Sequence, residues 1–166
     1  IMSSDWSSDV CSSDLFIENV FAMNQFRPEV PVFDFKGQQV WARQINPERN
    51  DPEILNDGGT LWVFGFKTEH KGVAFKTTGG GRTEVLGGTL NQCIEEDAPP
   101  SIVNHDSDVS VVCSTTDWRN REGRGHIVVE ERREGITRRI RWNEFPPRTG
   151  NRIAIPLYVG RAARKC

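Results

Sequence analysis

The feature that most constrains the fold is a repeat of about 21 residues. Residues 40–48 (VWARQINPE) align with residues 61–69 (LWVFGFKTE) at an offset of 21, and residues 83–89 and 109–115 follow at further offsets of 22 and 26. Each copy is a short β-favouring run bounded by turn residues, in which successive side chains face opposite sides. Such a period predicts a stack of similar structural units.

Stacking the copies in register sorts their side chains into columns on two faces. The predicted inner columns are Val40, Leu61, Thr83 and Val109; Ala42, Val63, Val85 and Val111; and Gln44, Gly65, Gly87 and Cys113. The predicted outer columns are Trp41, Trp62, Glu84 and Ser110; and Arg43, Phe64, Leu86 and Val112, with Phe66 alongside. A small, mainly aliphatic inner face at this period predicts an all-β solenoid with parallel strands and about three to four turns. Leucine-rich repeats share the period, but they need a recurring leucine and a helix that this chain lacks.

Two further patterns support this organisation. Residues 52–56 and 100–104 match at an offset of 48, which places Asn56 and Asn104 at equivalent turns where an amide can bond the backbone. After residue 117 the repeat stops, and Glu134-Gly135 links two β-favouring runs as in a hairpin. We therefore expect solenoid turns over residues 16–117 and an antiparallel cap, formed by a hairpin and a last strand at 152–159, over residues 118–166.

The first fifteen residues are set apart from this organisation. Ser-Ser-Asp occurs three times within them, and the string VCSSDL at 10–15 resembles the translation of a sequencing-library adapter, GTG TGC TCT TCC GAT CT. We expect residues 1–15 to be an artefact without ordered structure and the chain to lack its natural N-terminal part. A natural, flexible tail rich in Ser and Asp is the alternative.

Composition excludes several classes of protein. A net charge of -2 argues against wholesale nucleic-acid binding, and no apolar run reaches the roughly 18 residues of a membrane helix. The four cysteines have neither CxxC spacing nor a nearby histidine partner, which disfavours a zinc module and leaves pairing of Cys93 with Cys113 open. Residues 119–166 carry 13 Lys or Arg and 5 Asp or Glu, so this basic part could attract an acidic polysaccharide or dock on the acidic remainder.

The strings at 40–48, 56–69 (NDGGTLWVFGFKTE) and 79–88 (GGGRTEVLGG) resemble the right-handed parallel β-helix proteins of the pectate lyase-like superfamily. The resemblance covers residues 16–118 and implies a right-handed coil, secretion from a bacterium, a polysaccharide substrate and an open groove. It also implies that Ca²⁺ could act in a longer parent protein. The Trp-Ile-Asp-His and Arg-x-Pro-x-x-Arg strings of the calcium-dependent lyases are absent. Gly125-His126 and Arg139-Ile140-Arg141 only faintly resemble the hydrolase motifs, so no catalytic residue is carried over.

The residues themselves offer weak candidates for chemistry on a sugar, which needs carboxylates, a cation or a basic side chain beside the ring. Candidate catalytic residues are Glu69, His70, Arg82 and Glu84. Pairing of Glu69 with Lys67 or Lys71, and a salt bridge from Arg82 or Glu84 across to a neighbouring turn, are the more ordinary interpretations. Asp106 and Asp108, next to His105, are candidate calcium ligands, and a polar turn is the ordinary interpretation there.

The aromatic outer column suggests a surface for substrate. We expect Trp41 and Trp62 to stack beside Phe64, and sugar rings commonly pack against such aromatic side chains. Coverage of these rings by the C-terminal hairpin or by an N-terminal segment is the ordinary alternative.

The sequence therefore predicts the C-terminal part of a secreted bacterial β-helix protein that acts on or binds polysaccharide, with its catalytic residues upstream. A non-catalytic adhesin or a tail-spike-like surface protein is the alternative.

Overall fold

The computed structural model describes residues 14–23, 29–92, 98–117, 126–146 and 152–162. Within these ranges the chain contains no α-helix, and it coils into a parallel β-solenoid of about four turns. The predicted fold class is thereby confirmed. No helix in the described part is long and apolar enough to cross a membrane. The elements are β1 (Leu15–Met23), β2 (Phe33–Lys36), β3 (Gln39–Glu48), β4 (Ile54–Asp57), β5 (Thr60–His70), β6 (Phe75–Thr78), β7 (Arg82–Gln92), β8 (Ile102–His105), β9 (Asp108–Asp117), β10 (Ile127–Arg133), β11 (Ile136–Arg141), a 3₁₀ turn (Trp142–Glu144) and β12 (Arg152–Gly160).

The strands form two six-stranded sheets that face each other across the solenoid core. Long strands build the first sheet in the order β1-β3-β5-β7-β9-β12, and the other strands build the second in the order β11-β10-β8-β6-β4-β2. Neighbouring strands run parallel, except that β12 is antiparallel to β9 and β11 is antiparallel to β10. The antiparallel strands expected at the C-terminal end are therefore present. Because β10 also pairs in parallel with β8, the solenoid pattern continues as far as Arg132.

The first two predicted inner columns are confirmed in both register and burial. Backbone pairing aligns Val40 with Leu61 and Ala42 with Val63, and β7 and β9 continue both columns. All eight side chains are at most 2% exposed. Stacking similar aliphatic side chains at each turn gives the solenoid a continuous core, since each turn buries its inner face against the next.

The third predicted inner column is wrong in three of its four members, because the long strands bend. Gln44, Gly65 and Gly87 adopt positive φ angles of 53°, 74° and 78°, which interrupt the in–out alternation. Gln44 is consequently exposed, and the next residue along the strand, such as Phe66, turns inward. Phe66 packs edge-on against Phe75 with ring centroids 4.9 Å apart, so its predicted place on the outer face is wrong too.

Cys113 is buried as predicted. The bend in β7 contains one residue more than the corresponding part of β9, so β9 keeps its in–out alternation. The pairing shifts between Leu86 and Thr89, so that two residues of β7 lie opposite one residue of β9. Cys113 is a free thiol, and burial raises its pKa to about 12. Cys93 lies outside the described residues.

The second sheet supplies the opposite wall of the core. Its inner column contains Ile54, Phe75, Ile102 and Val129, aligned by consecutive parallel pairings. Asn56 and Asn104 lie two turns apart in the next column, as their offset predicts. The buried Asn56 amide donates to the carbonyl oxygens of Gly59 and Arg82, and its carbonyl accepts the Gly59 N–H at 3.1 Å. These bonds close the tight turn between β4 and β5.

Strand β1 is a further turn that the repeat search did not reveal. It pairs in parallel with β3 and aligns Phe16 with Trp41. Leu15, which the sequence analysis set aside with the first fifteen residues, begins this strand. Residues 1–13 lie outside the described ranges.

The cap closes the C-terminal end of the core. The hairpin turns at Glu134 and Gly135, whose φ angles of 47° and 80° suit the predicted two-residue link. Ile153 and Ile155 of β12 are buried in the core cluster. Tyr158 is buried with them, and its hydroxyl accepts a hydrogen bond from the Asn104 side chain at 3.2 Å.

Candidate functional site

A ladder of three aromatic rings lies on the outer face of the first sheet. The rings of Trp41 and Trp62 stack with centroids 4.8 Å apart and planes 12° apart, and Phe16 stacks on Trp41 at 4.9 Å. This spacing matches the distance between neighbouring strands, so the parallel register itself stacks the rings. We call Phe16, Trp41 and Trp62 the aromatic ladder.

Apolar side chains accompany the ladder on the same face. Phe64 and Leu86, aligned in the neighbouring outer column, are 46% and 42% exposed, and Phe16 is 74% exposed. The β10–β11 hairpin does not cover them, because it belongs to the second sheet. Coverage of the tryptophans by this hairpin is therefore wrong, whereas the N-terminal strand β1 does place Phe16 against Trp41. An exposed apolar surface of this kind is typical of a binding surface.

The aromatic ladder ends where a cleft begins. Glu84, rather than a fourth ring, occupies the position next to Trp62. Glu84 also lines a cleft of about 390 Å³ between β7, β9 and β12. We call it the first cleft. Its walls include Arg82, Glu84, Asp108, Leu157, Val159 and Arg161. Three candidates from the sequence, Arg82, Glu84 and Asp108, thus meet in one place.

The ionisable side chains of the first cleft differ in whether other groups of the protein bond to them. Within the described ranges, neither Arg82 nor Glu84 forms an ion pair or a side-chain hydrogen bond, so the salt bridge expected to a neighbouring turn is not found there. Asp108 is engaged, since its Oδ1 accepts the Ala162 N–H at 2.6 Å. The first cleft therefore contains two arginines, Arg82 and Arg161, and the carboxylate of Glu84, none of which forms an ion pair among the described residues.

Glu69 lies at a different corner and belongs to an ion-pair network. Lys67 Nζ lies 2.8 Å from Glu69 and 2.9 Å from the buried Glu48. The hydrogen bond from Lys67 holds the pKa of Glu69 below its usual value. This is the pairing with Lys67 expected from the sequence. His70 ends β5 beside this corner and pairs with Gln92, far along the strand from Arg82 and Glu84, and its side chain lies outside the described part of the structure.

Asp106 and Asp108 do not converge on a common ligand. Asp106 Oδ1 accepts the Glu134 N–H at 2.9 Å and so fixes the hairpin turn, whereas Asp108 holds the segment after β12. Among the described residues, no group of three or more His, Cys, Asp or Glu side chains could hold a metal ion. Within the described part of the chain, Asp106 and Asp108 therefore do not form the calcium site for which they were candidates, and the polar turn is the interpretation that their hydrogen bonds support.

A second cleft, of about 660 Å³, lies on the outer face of the second sheet. Its floor includes Leu55, Lys76, Val103 and Glu130, which neighbouring strands place in one column. His105 lines one side, and burial, together with the nearby Arg132 and Lys76, lowers its pKa. Sequence reasoning missed this cleft because its residues form no motif and become neighbours only through the register.

Two polar groups inside the solenoid serve the structure. Glu53 is 1% exposed and accepts a hydrogen bond from the Thr68 hydroxyl. His126 Nε2 lies 3.0 Å from Ser101 Oγ and 3.2 Å from Gln92 Oε1. All of these side chains are buried, so a substrate has no access to them.

Comparison with known proteins gives no match to any protein family, curated protein or solved structure.

Proposed function

We propose that this chain is part of a bacterial pectate lyase-like β-helix protein that works outside the cell and binds polysaccharide on the outer face of its first sheet. The observation that carries the proposal is the junction of the aromatic ladder with the first cleft. There, Trp62 lies next to Glu84 in register, and Arg82 lines the same cleft. The solenoid fold supports the family resemblance at the level of architecture.

The chemistry of this junction suits a sugar polymer. A pyranose ring has apolar C–H faces that pack on aromatic rings, while its hydroxyl or carboxylate groups need polar partners. A sugar seated against Trp62 would place such groups near Arg82 and Glu84 of the first cleft. The Arg82 guanidinium, with five donors, is suited to a uronate carboxylate.

Binding is a better description of this surface than catalysis. Glu69 is held by Lys67, and Asp106 and Asp108 each accept a backbone hydrogen bond, so three of the candidate carboxylates already have structural partners. The same observation favours the second candidate function, a non-catalytic surface solenoid such as an adhesin or a tail-spike-like protein. The two candidates share the binding surface and differ only in whether a longer protein cleaves the polymer.

Calorimetric titration with polygalacturonate and with its uncharged methyl ester tests the proposal. We expect Trp62→Ala to weaken binding of both polymers about tenfold, as loss of a stacking contact of about 1.4 kcal/mol would. Arg82→Gln should weaken binding of the charged polymer alone. The matched control is Phe21→Ala. Phe21 is an exposed aromatic residue of β1 that aligns with Asn46, away from the ladder.

Equal loss of binding in Phe21→Ala and Trp62→Ala, or no binding of either polymer, would refute the proposal. A separate assay distinguishes the two candidate functions. Ultraviolet absorbance of the unsaturated product, followed on the full-length protein with and without calcium, reports lyase activity. A flat trace from a protein that binds polymer favours the non-catalytic solenoid.

A further inference from the structure

Each sheet ends in two edge strands, and no described strand pairs with their outer sides. Three of these edges are poor templates for another strand. β1 bends at Asn19, whose φ is 52°, and β2 has only four residues. β12 contains Pro156, which has no N–H to donate, and its pairing shifts between Ile155 and Tyr158.

The remaining edge, β11, is straight and accessible. It pairs with β10 without interruption from Ile136 to Ile140. Five of its six residues are exposed, and Ile136 is 74% exposed. A regular, exposed edge presents a row of backbone N–H and C=O groups that a further strand can bond.

The charge of β11 selects which strand it can accept. The strand ITRRIR contains Arg138, Arg139 and Arg141 and no acidic residue. Glu130 of β10 lies 3.0 Å from Arg139 and offsets one of these three positive charges. The strand as a whole therefore keeps a positive charge. Two copies of β11 would repel each other, because like charges across a strand pair are destabilising. An acidic strand would instead place its carboxylates opposite these arginines.

We propose that β11 binds an extended acidic segment of another protein, which adds to the second sheet as a seventh strand. A peptide fits this edge better than an acidic polysaccharide does, because only a peptide presents donors and acceptors at the spacing of a β-ladder. The proposed site lies on a different sheet from the aromatic ladder and does not depend on polysaccharide binding.

Fluorescence anisotropy with a labelled peptide of about eight alternating Glu and Val residues tests the proposal. We expect saturable binding at low salt that the double variant Arg138→Glu/Arg139→Glu weakens at least about tenfold, since it replaces two of the three arginines of the strand by carboxylates and so reverses the sign of the strand's charge. The matched control is Lys36→Glu, an exposed charge reversal on β2 at the opposite edge of the same sheet. It should change the affinity by less than about twofold.

A second peptide of identical charge, N-methylated at alternate residues, isolates the backbone contribution. We expect it to bind at least about tenfold more weakly, because it cannot complete the ladder. Hydrogen exchange on the unmodified protein should show slower exchange across β11 when the first peptide is bound. This measurement and the N-methylated peptide remain decisive if the double variant does not fold.

Three results would overturn the proposal: no binding of the acidic peptide, equal binding of the N-methylated peptide, or unchanged exchange across β11. Equal competition by polygalacturonate, together with equal binding of both peptides, would identify β11 as an electrostatic surface for acidic polymers instead.

Discussion

The indole ring of Trp62 lies flat on that of Trp41, one strand away, with centroids 4.8 Å apart. The parallel pairing of β3 with β5 places the two residues directly opposite each other. Because both side chains point outward, this contact stabilises the solenoid while leaving the ladder at the protein surface. The same pair therefore bears on stability and on the proposed binding of polysaccharide.

A double-mutant cycle should measure the stacking energy of this pair. We expect Trp41→Ala and Trp62→Ala to show a coupling in the free energy of unfolding of about 0.5–1.5 kcal/mol. Urea denaturation of the two single variants and the double variant provides the measurement. Trp41→Ala combined with Phe21→Ala should be additive within about 0.5 kcal/mol. Additivity of the two tryptophan variants would contradict the stacked arrangement.

Glu53 should make the protein less stable as pH rises. Burial is the main cause that raises its pKa to about 8 in the fold, from about 4.5 in an unfolded chain, with further contributions from Glu48 and Asp51. The unfolded state therefore releases this proton first, and the free energy of unfolding should fall between about pH 4.5 and pH 8, by an amount on the order of a few kcal/mol.

Urea denaturation across this pH range, on the wild type and on Glu53→Gln, checks the effect. The substitution should flatten the decline, because the glutamine cannot ionise. Glu29→Gln, which removes an exposed carboxylate, should leave the decline in place. Parallel pH profiles for the wild type and Glu53→Gln would show that Glu53 is not the responsible group.

His126 should make the protein less stable as pH falls into the acidic range, which is the opposite direction to the effect of Glu53. Burial lowers its pKa to about 4, below the value of about 6.5 expected when unfolded. The stability that its neutral ring contributes is complete above about pH 6.5 and is lost as pH falls towards 4. An NMR titration should show its ring resonances unchanged down to about pH 5. A ring that titrates near pH 6.5 would contradict this placement, and His126→Gln assigns the signal.

Gly88 should be intolerant of any side chain. Its φ is 138°, and a Cβ atom would overlap the ring of Phe66, which the parallel register places beside it. Gly88→Ala should reduce the free energy of unfolding by about 1–3 kcal/mol more than Gly80→Ala does. Gly80 is the control because its φ of 74° is also positive, while nothing lies within 4 Å of its missing Cβ. Thermal denaturation of the two variants gives the comparison, and equal losses would mean that the overlap with Phe66 is relieved.

The parts of the candidate site that lie on the repeated strands could be predicted from the sequence. The stacking of Trp41 on Trp62 needs only the offset of 21 residues and the in–out alternation of a strand. The meeting of Arg82 with Asp108 in the first cleft follows the same register, although the sequence did not show that β12 would form the other wall. The extension of the ladder by Phe16 was missed, because β1 shares little sequence with the later turns.

The sequence by itself determined the parallel stacking, because every turn buries the same aliphatic columns and each contact recurs at a nearly constant offset. Only the tertiary structure decided where the strands bend, since Gln44 takes a backbone conformation that a neighbouring turn assigns to Gly65. The tertiary structure also decided which polar side chains have hydrogen-bond partners. The hydrogen bond from the Ala162 N–H to Asp108, for example, joins residues 54 positions apart. Such contacts join segments of unlike sequence, so no periodic pattern encodes them, and they form only when the cap folds back onto the solenoid.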